Sequence, residues 1–227
     1  MNAQDRKQRE AMHGENYVHR FSHGRQHARV ARLVDRIVLP PQARVLDAGC
    51  GTGLLAELLA SRCASYTGVD FSQAMIDQAR ERAARLGLRG CEFVRTDLVD
   101  HMRANGDAYD AVFMLDISEH VPDAEWSAIV AAAWHALRPG GRVYLHTPNL
   151  DFVVERLKQA GWMRQFPEHI AVRDAESNAR FFRQAGFSRV ECSTLPHYNV
   201  LRWLHPLSAI PGIGRYFAAR LWIEAVK

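Results

Sequence analysis

The chain has 227 residues, a formal net charge of +4, and 48% hydrophobic and 24% charged residues. This length can bury a large core within one α/β domain. No apolar run approaches the ~20 residues that span a bilayer, and residues 1–10 lack the apolar stretch of a secretion signal. The four cysteines form no C-x-x-C pair, as is typical of reduced thiols. We therefore expect a cytoplasmic protein.

The N-terminal residues 1–40 are basic, with eight Lys or Arg against four Asp or Glu. The pattern predicts a helix from Glu15 to Val38, bent near Gly24, before a Pro-Pro pair ends it. Three histidines fall at i, i+4 and i+8 and share one helix face: His19, His23 and His27. Because no Cys or carboxylate accompanies them, a solvated or pocket-facing stripe is favoured over a metal site. The basic excess is interpreted as a solvated helix face, with an anionic partner as the alternative.

The stretch 45–53 reads Val-Leu-Asp-Ala-Gly-Cys-Gly-Thr-Gly. It predicts a buried strand, a tight turn at Gly49, Gly51 and Gly53, and then a leucine-rich helix. The spacing is G-x-G-x-G, unlike the G-x-G-x-x-G of dinucleotide-binding turns. Asp47, two residues before the first glycine, would repel a pyrophosphate but suits a ligand that carries positive charge.

A second strand, Tyr66 to Val69, ends in Asp70. A carboxylate at that strand end can accept hydrogen bonds from both hydroxyls of a ribose. A ligand with a ribose, a cationic end and no phosphates fits S-adenosylmethionine (SAM).

Strands and helices alternate beyond this point. Ser72 is the predicted N-cap of the next helix, and Pro122-Asp123 opens a later one. The Leu-Arg-Pro-Gly-Gly run from Leu137 is predicted to stop that later helix and turn into a strand. Further strands are predicted at Cys91 to Arg95, Tyr109 to Leu115, Arg142 to His146, Val190 to Leu195 and Arg220 to Val226. Five residues at strand ends are expected to converge on one crevice: Gly49, Asp70, Asp97, Asp116 and Thr147.

The glycine stretch, the Gly-Val-Asp-Phe-Ser run from Gly68 and the run 137–149 resemble the class I SAM-dependent methyltransferases. The resemblance implies a Rossmann-like, doubly wound α/β sheet, mostly parallel, with a C-terminal antiparallel hairpin. It also implies a helical lid at 1–40 and a methyltransferase domain at 41–227. Substrate-side insertions are expected at 150–172 and 196–217.

The same resemblance implies which residues hold the cofactor. Asp97, followed by an apolar residue, matches the position that holds the adenine amino group, with a surface turn as the alternative. Arg29 lies twenty residues before Gly49, where ubiquinone-biosynthesis O-methyltransferases place a cofactor-contacting Arg; a plain surface Arg is the alternative. The predicted cofactor-binding residues are Arg29, Asp47, Gly49, Gly51, Gly53, Asp70, Phe71, Met75, Asp97, Leu98 and Leu115.

Asp116, Glu119 and His120 follow the fourth strand at i, i+3 and i+4, so a helical turn would place them on one face. Carboxylates and imidazole can ligate Mg²⁺, Zn²⁺ or Fe²⁺, which would lower the pKa of a substrate hydroxyl. This D-x-x-E-H resembles the E-x-x-E-H of ubiquinone-biosynthesis and small-RNA 2′-O-methyltransferases, where a second His completes a metal site. His169 is the candidate for that second His. Asp116 replaces the family's Glu and is one methylene shorter, so its coordination would be weaker, water-mediated or absent.

Two rival interpretations of these residues stay open. His120 can act alone as a general base, which its ordinary pKa near 6.5 suits. The Glu-His pair can instead cap and orient the helix that follows.

The sequence favours an enzyme that O-methylates a small, apolar or aromatic acceptor. The apolar insertion 196–217 supports such an acceptor, or peripheral contact with a membrane, and core padding is its alternative. A nucleic-acid (RNA 2′-O) methyltransferase is the second reading, suggested by the basic N-terminal arm. The absence of an RNA-binding module signature and of interleaved basic and stacking residues argues against it. A non-catalytic SAM-binding regulator is the third interpretation. The acidic and His residues after the fourth strand argue against it. The sequence does not indicate an oligomeric state.

Overall fold

The computed structural model describes residues 24–197 and 200–227. The described residues form two compact units, one containing residues 24–113 and His135–Gly141, the other Met114–Trp134 and the described part of Arg142–Lys227. The strands, in chain order, are β1 Arg44–Ala48, β2 Ser65–Asp70, β3 Cys91–Arg95, β4 Tyr109–Leu115, β5 Leu137–Pro148, β6 Arg189–Leu195 and β7 Arg220–Val226.

The seven strands form a mixed sheet in the order β3-β2-β1-β4-β5-β7-β6. β1 pairs in parallel with β2 and β4, and β2 pairs in parallel with β3. β7 runs antiparallel to both β5 and β6. The predicted fold class is confirmed: a mostly parallel, doubly wound sheet with an antiparallel C-terminal hairpin.

The helices of the first unit are Gly24–Val34, Leu54–Leu59, Gln73–Leu86 and Leu98–Ala104. Ser72 caps the third of them as predicted, because its hydroxyl accepts a hydrogen bond from the Met75 amide (3.4 Å). The first helix ends at Val34, four residues before the predicted end. Arg62 donates to the carbonyls of Val34 and Ile37 (3.1 and 3.0 Å) and so satisfies acceptors at this helix end. Glu15, His19 and His23 lie outside the described residues.

The remaining helices are Asp123–Ala136, Val153–Gln159 and Ala175–Gln184, with 3₁₀ turns at Ala60–Arg62, Ser118–His120, Val200–Ala209 and Gly214–Phe217. Trp126 and Val130 of the helix Asp123–Ala136 are fully buried, as the apolar stripe of this helix predicts. Within the described residues, no helix is both long and apolar enough to cross a membrane.

The predicted start of β5 was wrong. The helix Asp123–Ala136 stops at the Leu-Arg-Pro-Gly-Gly run as predicted, but β5 begins at Leu137 itself and not at Arg142. Leu137 is fully buried, and Gly140 adopts a φ of 78°. The bend that the glycines suggested therefore lies within the strand, where glycine allows it.

Candidate functional site

A glycine turn connects β1 to the helix Leu54–Leu59 in the first unit. Gly51 and Gly53 have φ values of 50° and 73°, in the left-handed region. A Cβ on Gly53 would lie 3.0 Å from the Cβ of Ala79, whereas nothing lies within 4 Å of a Cβ on Gly51. Position 53 therefore requires glycine both for its positive φ and because a side chain would clash with Ala79. Position 51 favours glycine for its positive φ alone.

Asp70 fixes the turn from the end of β2. Its carboxylate accepts hydrogen bonds from the Gly51 amide (3.0 Å) and the Ser72 amide (2.9 Å). The Gly49 amide donates to the Val69 carbonyl (2.8 Å), which ties the turn to the same strand. A carboxylate oxygen has two lone pairs, so it can accept from a ligand hydroxyl as well as from a backbone amide. The fold thus holds the Asp70 carboxylate against the glycine turn, and its contact with a ribose stays a prediction.

Asp47 lies beneath the turn and is 3% exposed. The Tyr66 hydroxyl donates a hydrogen bond to its carboxylate. Burial raises the pKa of Asp47 to about 7; the Tyr66 hydrogen bond opposes the rise and the Asp70 charge adds to it. Asp47 is therefore poised to become an anion when a cation binds nearby.

Asp97 caps a helix in the structure. Its carboxylate accepts hydrogen bonds from the amides of Val99 (2.9 Å) and Asp100 (3.4 Å), at the start of Leu98–Ala104. These capping bonds are compatible with both interpretations of Asp97, a surface turn and a contact with the adenine amino group. The adenine contact stays a prediction.

The other predicted cofactor residues occupy varied environments. Met75 is 4% exposed, and Phe71 is half-buried with its carbonyl accepting from Arg95 Nε (3.1 Å). Arg29 is half-buried in the first unit, and Leu115 is half-buried in the second. Their contacts with a cofactor stay predictions.

A charged network that the sequence did not single out supports the turn. Arg82 Nε donates to the Thr52 carbonyl (3.0 Å), and Arg82 Nη1 lies 2.5 Å from Glu57. Glu57 also lies 3.4 Å from His27 Nε2. The one described member of the predicted histidine stripe therefore faces a carboxylate. No contiguous motif marks Arg82, which lies thirty residues from its acceptor.

The second unit brings Glu119, His120 and His169 together. Each offers one donor atom, and these atoms all lie within 4.8 Å of one another. The two imidazole rings meet edge to face, with centroids 5.2 Å apart. These three residues were predicted together from the sequence, across about fifty intervening residues. We call them the Glu-His-His cluster.

The surroundings of the cluster fit a metal ion. His120 Nδ1 lies 2.8 Å from the Glu168 carbonyl, which fixes Nδ1 as a donor and leaves Nε2 as the ring's lone-pair nitrogen. His169 Nδ1 is buried and has no hydrogen-bond partner among the described residues. Burial, then the neighbouring His120, lowers the pKa of His169 to about 4, so its ring is neutral at pH 7. Neutral imidazoles and a carboxylate are the donors that a divalent ion requires.

Glu119 is the buried member of the cluster, at 1% exposure. Thr147 Oγ1 lies 3.3 Å from its carboxylate and 2.7 Å from Ser118 Oγ. Burial and the Asp116 carboxylate raise the pKa of Glu119 to about 8, while its own backbone, Arg220 and Thr147 oppose the rise. A cation beside Glu119 would relieve this unfavourable burial.

Asp116 differs from the arrangement that its spacing predicts. It precedes the 3₁₀ turn Ser118–His120 and has a φ of 56°, so it does not share a helical face with the cluster. Its Oδ1 lies 2.9 Å from His146 Nδ1 and 3.4 Å from Arg220 Nη1, and its amide donates to the His146 carbonyl (2.8 Å). Asp116 is a neighbour of Glu119 and does not belong to the three-donor cluster.

A cavity of about 300 Å³ adjoins the cluster at His169. Its lining residues come from the predicted insertion 150–172 and include Lys158, Gln165, Ile170 and Val172. Lys158 Nζ lies 2.6 Å from Glu155. The cavity is therefore lined by both polar and apolar residues.

Comparisons with known proteins agree with these observations. A family described as a methyltransferase domain matches residues 21–192. The chain is 36% identical over 109 residues to the ubiquinone biosynthesis O-methyltransferase of Vibrio atlanticus, covering 48% of this chain and 45% of that protein. It is 30% identical over 174 residues to the Acinetobacter baumannii (strain AYE) protein of the same name, covering 72% of each. The first match thus spans less than half of the relative.

Two solved structures show the same fold. A SAM-dependent methyltransferase from Archaeoglobus fulgidus has a TM-score of 0.72 at 17% identity, covering 93% of this chain and 98% of that one. The [4+2]-cyclase SpnF has a TM-score of 0.67 at 20% identity, covering 89% and 80%. Because one of these is named a cyclase, likeness at this level establishes the fold and leaves the reaction to the site.

Proposed function

We propose that this chain, which belongs to the SAM-dependent methyltransferase family, transfers a methyl group to a hydroxyl of a small apolar or aromatic acceptor. The Glu-His-His cluster is the observation that carries the proposal. Relatives named ubiquinone biosynthesis O-methyltransferases support oxygen as the accepting atom.

The first unit holds the cofactor in this proposal. Asp70 accepts hydrogen bonds from the ribose hydroxyls, and the backbone of the glycine turn allows close approach of the ligand. Asp47 supplies negative charge towards the cationic end, since its pKa of about 7 lets it ionise near neutral pH. SAM supplies the activated methyl group.

The second unit prepares the acceptor. Glu119, His120 and His169 would hold a divalent ion, and such an ion lowers the pKa of a hydroxyl that it ligates. One carboxylate with two imidazoles favours Zn²⁺ or Fe²⁺ over Mg²⁺, which prefers oxygen ligands. The neutral His169 ring and the orientation of the His120 ring by the Glu168 carbonyl suit both imidazoles to this purpose.

A metal-free version of the proposal assigns proton removal to His120. Its Nδ1 is fixed on the Glu168 carbonyl, so Nε2 would take the proton from the acceptor hydroxyl. This version predicts that methyl transfer survives chelation, and the metal version predicts that it does not.

The cavity beside His169 supports a small acceptor. Its volume of about 300 Å³ is at the lower end of the range for small-molecule sites. Several apolar side chains of the two insertions are exposed, among them Trp162 (82%) and Trp203 (71%). Such exposed apolar surface is consistent with an apolar acceptor.

Titration calorimetry tests the proposal. S-Adenosylhomocysteine (SAH) should bind metal-stripped protein at micromolar levels, and Zn²⁺ or Fe²⁺ should bind wild type but neither Glu119→Gln nor His120→Ala. Methyl transfer would then be assayed on a catechol and on a simple phenol, with and without chelator.

The outcomes separate the readings. Metal binding that both substitutions abolish, with chelator-sensitive transfer to the catechol, supports the metal version. SAH binding without metal binding, and transfer that His120→Ala abolishes, supports the base version. Protein that does not bind SAH overturns the proposed function.

A further inference from the structure

Arg173 is a buried arginine outside every helix and strand, and no sequence motif marks it. Its side chain is 5% exposed. Nη1 donates to the carbonyls of Ser118 (2.6 Å) and Ala171 (3.1 Å), and Nη2 donates to the carbonyl of Val121 (2.9 Å). Nε and Nη2 also meet Asp123 Oδ1 at 2.9 and 2.7 Å. One guanidinium therefore joins two separate loops.

These two loops carry the cluster. Glu119 and His120 lie on the loop after β4, and His169 lies on the irregular segment before Ala175. The two backbone amides that follow His169 both donate to the Glu119 carbonyl, at 2.9 and 3.1 Å. Neither a helix nor a strand holds His169, so its position depends on loop contacts such as these two bonds and the bond from its own amide to the Phe166 carbonyl (3.0 Å).

We propose that Arg173 is a positioning residue that assembles the Glu-His-His cluster by clamping the two loops that carry it. The inference rests on the proposed function, because the cluster must bind metal for the clamp to matter. Arg173 would thus determine whether the three metal-ligating side chains meet, through bonds to backbone carbonyls and to Asp123.

Guanidinium chemistry suits this task. Five N–H donors in a rigid plane can serve three carbonyls and a carboxylate at once, whereas a lysine ammonium offers three donors on a flexible stem. Asp123 compensates the buried charge, and its own side chain is 72% exposed. Arg173→Lys therefore keeps the positive charge but cannot make all the hydrogen bonds of the planar guanidinium.

The test is Zn²⁺ and Co²⁺ titration of Arg173→Lys beside wild type. We expect metal affinity to fall 10- to 100-fold, as for residues that orient metal ligands, with SAH affinity unchanged. The visible spectrum of bound Co²⁺ should also shift, because the ligand geometry relaxes.

Three further variants make the test specific. Arg183→Lys changes an exposed arginine that pairs with Glu176, so it should leave both titrations unchanged. Phe182→Leu weakens the core without touching the cluster, so it should lower Tm and keep metal affinity. Asp123→Asn removes only the charge of the exposed partner carboxylate, so it should weaken metal binding measurably but by less than tenfold.

Each result decides the inference. Wild-type metal affinity and an unshifted Co²⁺ spectrum in folded Arg173→Lys would overturn the clamp and leave the proposed function standing. A wild type that binds SAH but no metal would overturn the clamp together with the metal version of the proposed function and leave the base version standing, and the wild-type titration alone would reveal it. If Arg173→Lys does not fold, Asp123→Asn decides: weakened metal binding supports the clamp, and unchanged binding overturns it.

Discussion

The glycine turn of the first unit and the Glu-His-His cluster of the second are built in opposite ways. Gly51 and Asp70 are 19 residues apart, and the parallel pairing of β1 with β2 brings them together. His120 and Glu168 are 48 residues apart; His120 ends a short 3₁₀ turn in the loop after β4, and Glu168 lies in a second loop. Regular secondary structure therefore positions the first site, whereas hydrogen bonds between loops position the second. Single substitutions should separate the two sites cleanly.

Asp70→Ala should produce the largest effect in the first unit. It removes the acceptor of two backbone amides and of the proposed ribose hydroxyls, each charge-assisted bond being worth about 1.5–3 kcal/mol. We expect SAH affinity to fall by about 100-fold or more, with metal affinity of the second unit unchanged. Calorimetry measures both.

The matched control for Asp70→Ala is Asp100→Ala, an exposed acidic residue of the same unit. It should leave SAH affinity within about twofold of wild type. Equal SAH affinity in Asp70→Ala and wild type would contradict the role given to the turn.

Gly53→Ala and Gly51→Ala form a pair that isolates packing from backbone strain. Both place alanine at positive φ, which costs about 1–2 kcal/mol. Only the Gly53 variant also drives a Cβ to 3.0 Å from Ala79. We expect Gly53→Ala to lose about 2–3 kcal/mol of unfolding free energy and Gly51→Ala about 1 kcal/mol, measured by denaturant titration. Equal losses would show that the close approach carries no cost.

The sequence could predict the turn because its residues are contiguous and its chemistry follows strand ends. Val45 to Gly53 and Asp70 follow from the alternation of strand, glycine and helix. In the cluster, Glu119 and His120 were predicted from their spacing, and His169 only through the motif resemblance. The same spacing argument also included Asp116, which the structure places outside the cluster. The i, i+3, i+4 argument assumes a continuous helical face, whereas the actual 3₁₀ turn begins at Ser118.

Long-range loop contacts explain what the sequence did not reveal. Arg173 acts through carbonyls some fifty residues away, and hydrogen bonds to carbonyls leave no trace in the partner's side-chain identity. Arg82 likewise donates to a carbonyl thirty residues away. The start of β5 was also missed, because Pro-Gly-Gly predicts a turn wherever neighbouring strands are not known.

Asp47→Asn tests the buried carboxyl beneath the turn through pH. The folded pKa of about 7 exceeds the ordinary 3.8, so between these values the folded state holds a proton that the unfolded state has lost. The contribution of Asp47 to the wild-type unfolding free energy should therefore fall as pH rises from about 4 to 7, by roughly 4 kcal/mol, and then level off. The asparagine variant should lack this contribution, so the difference between the two curves separates Asp47 from other buried groups such as Glu119.

Tyr66→Phe extends the same test. The Tyr66 hydroxyl lowers the pKa of Asp47, so its removal should prolong the decline above pH 7. Denaturant unfolding of the three proteins at pH 5, 6, 7 and 8 measures the curves. Parallel curves for wild type and Asp47→Asn would show that Asp47 keeps an ordinary pKa.

Asp116→Asn should have the smallest effect, and it tests membership of the cluster directly. Asparagine tolerates the φ of 56° and keeps the side-chain volume, so the backbone should persist. Asp116 lies against His146 and Arg220, and it raises the pKa of Glu119. Its loss should change Zn²⁺ affinity less than tenfold, whereas Glu119→Gln should cost more than 100-fold. If Asp116→Asn weakens Zn²⁺ binding as strongly as Glu119→Gln does, Asp116 is a fourth ligand, and metal binding must then rearrange the loop after β4.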